Sequence, residues 1–290
     1  MTGKKKPDPE AAGGRALRLP SGEAVPVLGQ GTWGMAEDRR RRADEIAALR
    51  LGLDLGLTLI DTAEMYTDGA AEELAAEAIA GRRDEVFLVS KVLPGNATRR
   101  GTVAACERSL RRLRTDRIDL YLLHWRGETP LAETLAAFVE LARAGKVRHF
   151  GVSNFGLADS QEWFRLAGAA ATATNQVLYN LARRGIEYDL LPWCRERCLP
   201  IMAYSPVEQG RLLGNTALKS VAGRRRATAA QLALAWVLRQ PGVLAIPKAA
   251  SPEHVRENRA ALELELTTED LAALDRAFPP PAKPRALEML

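Results

Sequence analysis

Apolar residues recur along the chain in two alternating rhythms. Short runs rich in Val, Ile, Leu and aromatic residues fall at 30–33, 57–60, 86–90, 118–123, 147–152, 172–176, 199–204 and 243–247. Between them the apolar positions shift to helical spacing. Ile46, Leu49 and Leu53 stand at i, i+3 and i+7, and Val103, Cys106, Leu110 and Leu113 form a second stripe of the same kind. Strands separated by amphipathic helices pair in parallel through right-handed crossovers, and eight such repeats predict closure into an α/β (β/α)8 TIM barrel. Residues 15–19 and 25–28 flank Pro20-Ser21-Gly22-Glu23 and predict an N-terminal β-hairpin plugging the bottom of that barrel.

Two extra C-terminal helices, at 252–261 and 268–278, follow the last strand. Thr267 or Thr268 ahead of Glu269 and Asp270 starts the second, and Pro279-Pro280-Pro281 stops it. No low-complexity linker interrupts the pattern. The expected organisation is a disordered tail at 1–14 and one barrel domain over 15–290, a size normal for this architecture. The Pro-rich end either lies over the barrel or moves freely.

Composition narrows the class. At 47% apolar and 27% charged residues, with no apolar run near the ~18 that suggests a membrane span, the chain reads as a soluble protein. Lys4-Lys5-Lys6 has no apolar stretch behind it, so no signal peptide is expected, and the localisation read from this is cytoplasmic. Three cysteines suit free thiols in a reducing compartment. Cys194 and Cys198 lie four apart on a predicted helix, where they would share a face, but they lack the two further ligands of a structural zinc site. No metal is expected. The net charge of +5 comes partly from arginine clusters on predicted helix faces; a mild basic excess suits a phosphorylated small ligand rather than nucleic acid or membrane.

Gly29-Gln30-Gly31-Thr32-Trp33-Gly34 matches G-x-G-x-x-G, with Asp54 twenty residues on. The context is wrong for a Rossmann turn: no helix opens at the third glycine, and Asp54 ends a helix rather than a strand.

The polar residues suited to chemistry sit at strand ends. Asp61, Lys91 and His124 close the second, third and fourth runs, and Tyr66 lies five residues after Asp61. A parallel barrel presents catalytic groups at such positions on one face. A phenol titrates near ~10; a neighbouring ammonium would lower that value and make proton donation easier, with Asp61 holding Lys91 charged and His124 orienting a carbonyl. Taken singly, each residue is more often a cap, an ion pair or a core side chain. Together at one face they read as a proton donor to an oxyanion.

The chain resembles the aldo-keto reductase superfamily over about 15–278. The matching strings are Gly31-Thr32-Trp33, Ile60-Asp61-Thr62-Ala63-Glu64-Met65-Tyr66, Val89-Ser90-Lys91, Leu122-Leu123-His124-Trp125, Gly151-Val152-Ser153-Asn154-Phe155, Asn175-Gln176-Val177, Ala203-Tyr204-Ser205-Pro206 and Ile246-Pro247-Lys248. The likeness is to a compact bacterial branch that includes methylglyoxal and 2,5-diketo-D-gluconate reductases. It implies Tyr66 as general acid, tuned by Lys91 and Asp61, with His124 positioning the carbonyl. Hydride would come from NADPH, with NADH as a weaker substitute. The resemblance assigns cofactor binding to Gly31, Thr32, Ser153, Asn154, Gln176, Tyr204, Ser205, Pro206, Lys248, Ser251, His254, Glu257 and Asn258. Within that set Ser153, Asn154 and Gln176 grip the carboxamide, Tyr204 stacks on the nicotinamide, Lys248 meets the adenosine phosphate, and Glu257 and Asn258 hold the adenine. Trp33 and Trp125 would wall the carbonyl site.

Many family members carry arginine where this chain has His254, and Arg256 points elsewhere on the helix. A histidine carries less positive charge than an arginine above neutral pH, so the expected grip on a 2′-phosphate is softer and pH-sensitive. Ser153 and Asn154 could instead cap the helix at Leu157. Short loops predict an open pocket for small aldehydes, dicarbonyls such as methylglyoxal, and aromatic aldehydes; separately, the chain is expected to act as a monomer. A catalytically idle NADPH-binding regulatory subunit of the same fold is the alternative. A metal-dependent hydrolase is disfavoured by the presence of only three histidines and no H-x-H pair.

Overall fold

A computed structural model describes residues 15–290; the expected tail at 1–14 lies outside the described residues. The chain opens with an antiparallel hairpin, β1 (Ala16–Arg18) and β2 (Ala24–Pro26). Eight parallel strands follow: β3 (Gln30–Gly31), β4 (Leu59–Asp61), β5 (Phe87–Val92), β6 (Ile118–Leu123), β7 (Val147–Ser153), β8 (Asn175–Leu178), β9 (Ile201–Tyr204) and β10 (Val243–Ala245). Each pairs with the next in chain order. Parallel bridges from Leu28 to Ala245 and from Gly31 to Lys248 join the last strand to the first and close the barrel.

The seam depends on a glycine. A Cβ on Gly31 would stand 2.7 Å from the Ile246 carbonyl oxygen, so only a residue without one lets these backbones approach. The G-x-G-x-x-G string therefore serves barrel closure and opens no helix.

The surrounding helices are α1 (Arg42–Asp54), α2 (Ala70–Ala78), α3 (Arg99–Leu113), α4 (Leu131–Arg143), α5 (Leu157–Phe164), α6 (Leu190–Glu196), α7 (Thr216–Arg224), α8 (Ala229–Leu238), α9 (Pro252–Ala260) and α10 (Thr268–Ala277). The α3 stripe buries Cys106, Leu110 and Leu113 against the sheet, as its spacing requires. α8 is almost wholly buried, and α9 packs between α8 and α1 while α10 packs on α7. Thr267 caps α10 in a reciprocal capping box with Asp270.

Two expectations need correction, and one alternative reading falls away. The run at 172–176 starts as a strand only at Asn175, because Thr172 turns its hydroxyl back onto the Ala169 carbonyl at 2.6 Å and closes a 3-10 turn. Cys194 and Cys198 do not share a helix: α6 ends at Glu196, and Cys198 adopts φ 50° beyond it, leaving a buried and an exposed free thiol. Gly156, rather than Ser153 or Asn154, occupies the cap position of α5. Among the described residues no helix is long and apolar enough to cross a membrane.

The Pro-rich end lies over the barrel. Leu287 packs on the core, and Arg184 holds the start of the segment by donating to the Phe278 carbonyl at 2.5 Å and to Asp275 at 2.7 Å.

Candidate active site

Strand alternation turns the last inward residues of β4 and β5 toward each other at the barrel mouth. Asp61 and Lys91 stand within these strands rather than past them, and both are buried. Lys91 Nζ donates to Asp61 Oδ2 at 2.7 Å, to the Thr62 carbonyl at 2.9 Å and to Tyr66 Oη at 3.0 Å. Its three protons are all committed, so a fully buried ammonium is satisfied. Asp61 Oδ1 accepts from Gln176 Nε2 at 2.7 Å, so β8 steadies the carboxylate that steadies the lysine.

Tyr66 reaches the site from the loop after β4. Thr67 and Asp68 follow it in left-handed conformations, and Thr67 donates its hydroxyl to the Met35 carbonyl at 2.9 Å. Glu64, from the same loop, accepts from the Leu93 amide and from Asn96 Nδ2, fastening the loops after β4 and β5 together. Sequence reasoning missed Glu64, although it stands within the quoted Asp61–Tyr66 string; nothing in a lone glutamate marks it as a clamp.

Burial pushes the Tyr66 phenol up, and the Lys91 ammonium at 3.0 Å pulls it down by less, so the net direction is upward. This corrects the expectation of a lowered value: the site keeps the phenol protonated. Burial lowers the Lys91 ammonium, but Asp61 and Tyr66 more than offset this and hold it above its ordinary value. Burial, assisted by Lys91, pushes His124 down to about 2, leaving a neutral ring. Its Nδ1 is buried without a hydrogen-bond partner among the described residues.

Trp33, Tyr66, His124 and Trp125 form a continuous aromatic row. Centroid separations are 5.1 Å from Trp33 to Tyr66, 5.8 Å from Tyr66 to His124 and 4.9 Å from His124 to Trp125. Trp33 is half exposed, so the row opens to solvent at one end.

On the other side of the mouth, Tyr204 Oη donates to Asn154 Oδ1 at 3.0 Å, and Asn154 adopts φ 58°. Asn154 Nδ2 donates to the His124 carbonyl and to Ser153 Oγ, Ser153 Oγ donates to the Gln176 carbonyl, and Gln176 Nε2 donates to Asp61 and Met202 Sδ. The donors of these three side chains are spent within the protein. Thr32 Oγ donates to the Asp61 carbonyl. Ser205 adopts φ 47° beside buried Pro206.

The remaining predicted residues lie at the barrel seam. Lys248 is exposed next to β10, Ser251 caps α9 by accepting from the His254 amide at 3.3 Å, and His254 and Arg256 are exposed. Glu257 is half-buried and Asn258 buried on the following turn. Among the described residues no group of three or more His, Cys, Asp or Glu side chains is assembled that could hold a metal ion.

The sequence that builds this closed barrel matches the aldo/keto reductase family model over residues 27–278. The chain belongs to that family. It is 54% identical over 272 residues to the methylglyoxal reductase YeaE of Escherichia coli K12, covering 92% of this chain and 96% of the relative. It is 32% identical over 259 residues to the glyoxal reductase of Bacillus subtilis, covering 89% and 91% respectively. An aldo/keto reductase from Klebsiella pneumoniae, solved in complex with NADP and acetate, superposes with a TM-score of 0.93 at 54% identity, covering 96% of this chain and 100% of that one. Within this aldo/keto reductase Asp61, Lys91, Tyr66 and His124 are brought into one cluster, Asn154 and Tyr204 bond to each other beside it, and Ser251 caps α9, along which His254, Glu257 and Asn258 stand.

Proposed function

We propose that this chain is an NADPH-dependent reductase of small aldehydes and dicarbonyls, methylglyoxal-like in size, with Tyr66 as the acid. One observation carries the assignment. Lys91 can only donate, so Tyr66 Oη accepts from it, and the phenolic proton has no acceptor among the described residues. That proton stands at the mouth of the barrel, beside a neutral histidine and an aromatic wall.

The residues fit the cofactor. Tyr204 offers a half-buried ring pinned through its hydroxyl, Gln176 keeps an amide oxygen to accept from a carboxamide, and the Lys248 ammonium beside the N-terminus of α9 suits a phosphate. When bound, the dihydronicotinamide supplies a hydride to the carbonyl carbon. His124 donates from Nε2 to the carbonyl oxygen and sets its direction. Tyr66 gives its proton to that oxygen as the alcohol forms, and the Lys91 ammonium at 3.0 Å stabilises the phenolate left behind. Asp61 and Gln176 keep that ammonium charged and in place.

We assign residues 15–290 to one domain acting as a monomer in the cytoplasm. The catalytic four argue against an idle cofactor-binding subunit, because such a protein has no use for an unclaimed phenolic proton. His254 in place of arginine gives a softer preference for NADPH over NADH.

The test is NADPH oxidation with methylglyoxal and a small aldehyde panel, run beside Tyr66→Phe. Loss of positioned acid catalysis should cost about 10²–10⁴ in kcat while NADPH binding persists. Wild-type turnover by the variant would remove Tyr66 as the acid. Cofactor binding without turnover in the wild type would favour the idle subunit.

A further inference from the structure

The loop after β9 is strained. Ser205, Glu208 and Gln209 have φ of 47°, 52° and 53°, and Gly210 follows at 87°. Left-handed backbone is unfavourable for a non-glycine residue, so side-chain contacts must hold the loop in this shape. Glu208 supplies them. Its buried carboxylate accepts from Asn180 Nδ2 at 2.7 Å, Arg183 Nε at 3.0 Å and Arg211 Nη2 at 3.1 Å, while Asn180 Nδ2 also donates to the Ser205 carbonyl at 2.9 Å. Asn180 Oδ1 in turn accepts from the Arg183 amide at 3.1 Å, fixing the residue that carries the guanidinium.

The same guanidinium has a second arm. Arg183 Nη1 pairs with Glu288 at 2.5 Å, and the main chain of Leu290 comes up to the Tyr204 hydroxyl. The tail is a strap more than a packed element. It roofs a cleft of about 390 Å³ lined by Gly156, Leu157, Ile186, Leu190, Arg285 and Leu287, with Leu287 as its apolar anchor on the core.

We propose that Arg183 is a positioning residue that joins the loop after β9 and the C-terminal strap into one latch across the Tyr204 side of the barrel mouth. The two segments open together and govern how long NADPH stays bound. The latch stands on geometry, and its effect on the cofactor rests on the functional reading above.

Glu288→Gln cuts the tail arm alone and leaves every Glu208 contact in place. Hydrogen exchange on the cofactor-free protein should then quicken about 2- to 5-fold at 279–290 and also at 205–214, the worth of a part-exposed ion pair. Quickening confined to the tail, or none at an unchanged melting temperature, overturns the latch. Stopped-flow release of NADPH should be faster by a similar factor in Glu288→Gln, restored in Glu288→Asp, and unaffected by Glu288→Gln once Arg183→Met is present. Wild-type release in Glu288→Gln overturns the link to the cofactor. A wild-type protein that binds no NADPH sinks the functional reading instead, and the exchange experiment still decides the latch.

Discussion

His124 shows how one residue's surroundings set its chemistry. Histidine is ordinarily half protonated near ~6.5, but burial and the Lys91 charge push this ring down to about 2. The unfolded chain therefore binds a proton here that the folded chain refuses. Stability is fully present above the unfolded value and falls with pH between about 6.5 and 2, by up to ~1.4 kcal/mol per pH unit for this one group. His124→Gln should flatten that part of the pH–stability curve, measured by denaturant midpoints from pH 7 to pH 4. An unchanged slope would mean that another group supplies it. From the sequence His124 was already a strong candidate, since it ends a strand within a matching string. Tyr66 was legible in identity but not in acidity. The sequence placed an ammonium nearby, yet only the fold reveals burial deep enough to outweigh it.

At the scale of elements, the barrel was readable because strand and helix periods are local properties of the chain. Boundaries were less so. The start of β8 depended on a threonine hydroxyl closing a turn, and the helical reach of Cys198 on where α6 stopped. Neither leaves a periodic mark. The Gly29–Gly34 string illustrates the opposite risk, a local match whose physical reason is closure of a seam. Gly31→Ala should destabilise the protein by about 1–3 kcal/mol, because its Cβ would meet the Ile246 carbonyl oxygen at 2.7 Å and push β3 from β10. A denaturant midpoint equal to wild type would show that the seam has slack. Because Gly31 bridges Lys248 across this seam, cofactor affinity should weaken with it.

The proposed site draws on the whole molecule, since its parts come from β4, β5, β6, β7, β8, β9 and the start of α9. A ligand that touches so many elements should stabilise all of them together. A hundredfold excess of NADPH over its Kd should add about 2.7 kcal/mol, seen as a raised melting temperature, with a smaller rise from NADH at the same concentration. His254→Arg should widen that difference. Equal shifts from both cofactors, before and after the substitution, would remove the 2′-phosphate from the account.

By itself the sequence determined the repeat of strands and helices, the residues at the strand ends and the family strings that contain them, because each is written in spacing along the chain. Only the tertiary structure decided which donors remain free. The commitment of all three Lys91 protons, the internal spending of the Asn154 and Gln176 amides, and the sharing of Arg183 between Glu208 and Glu288 are contacts between residues as far as 115 positions apart. Hydrogen-bond capacity is a local property of a side chain, but how it is used depends on which distant partners the closed barrel brings within 3 Å.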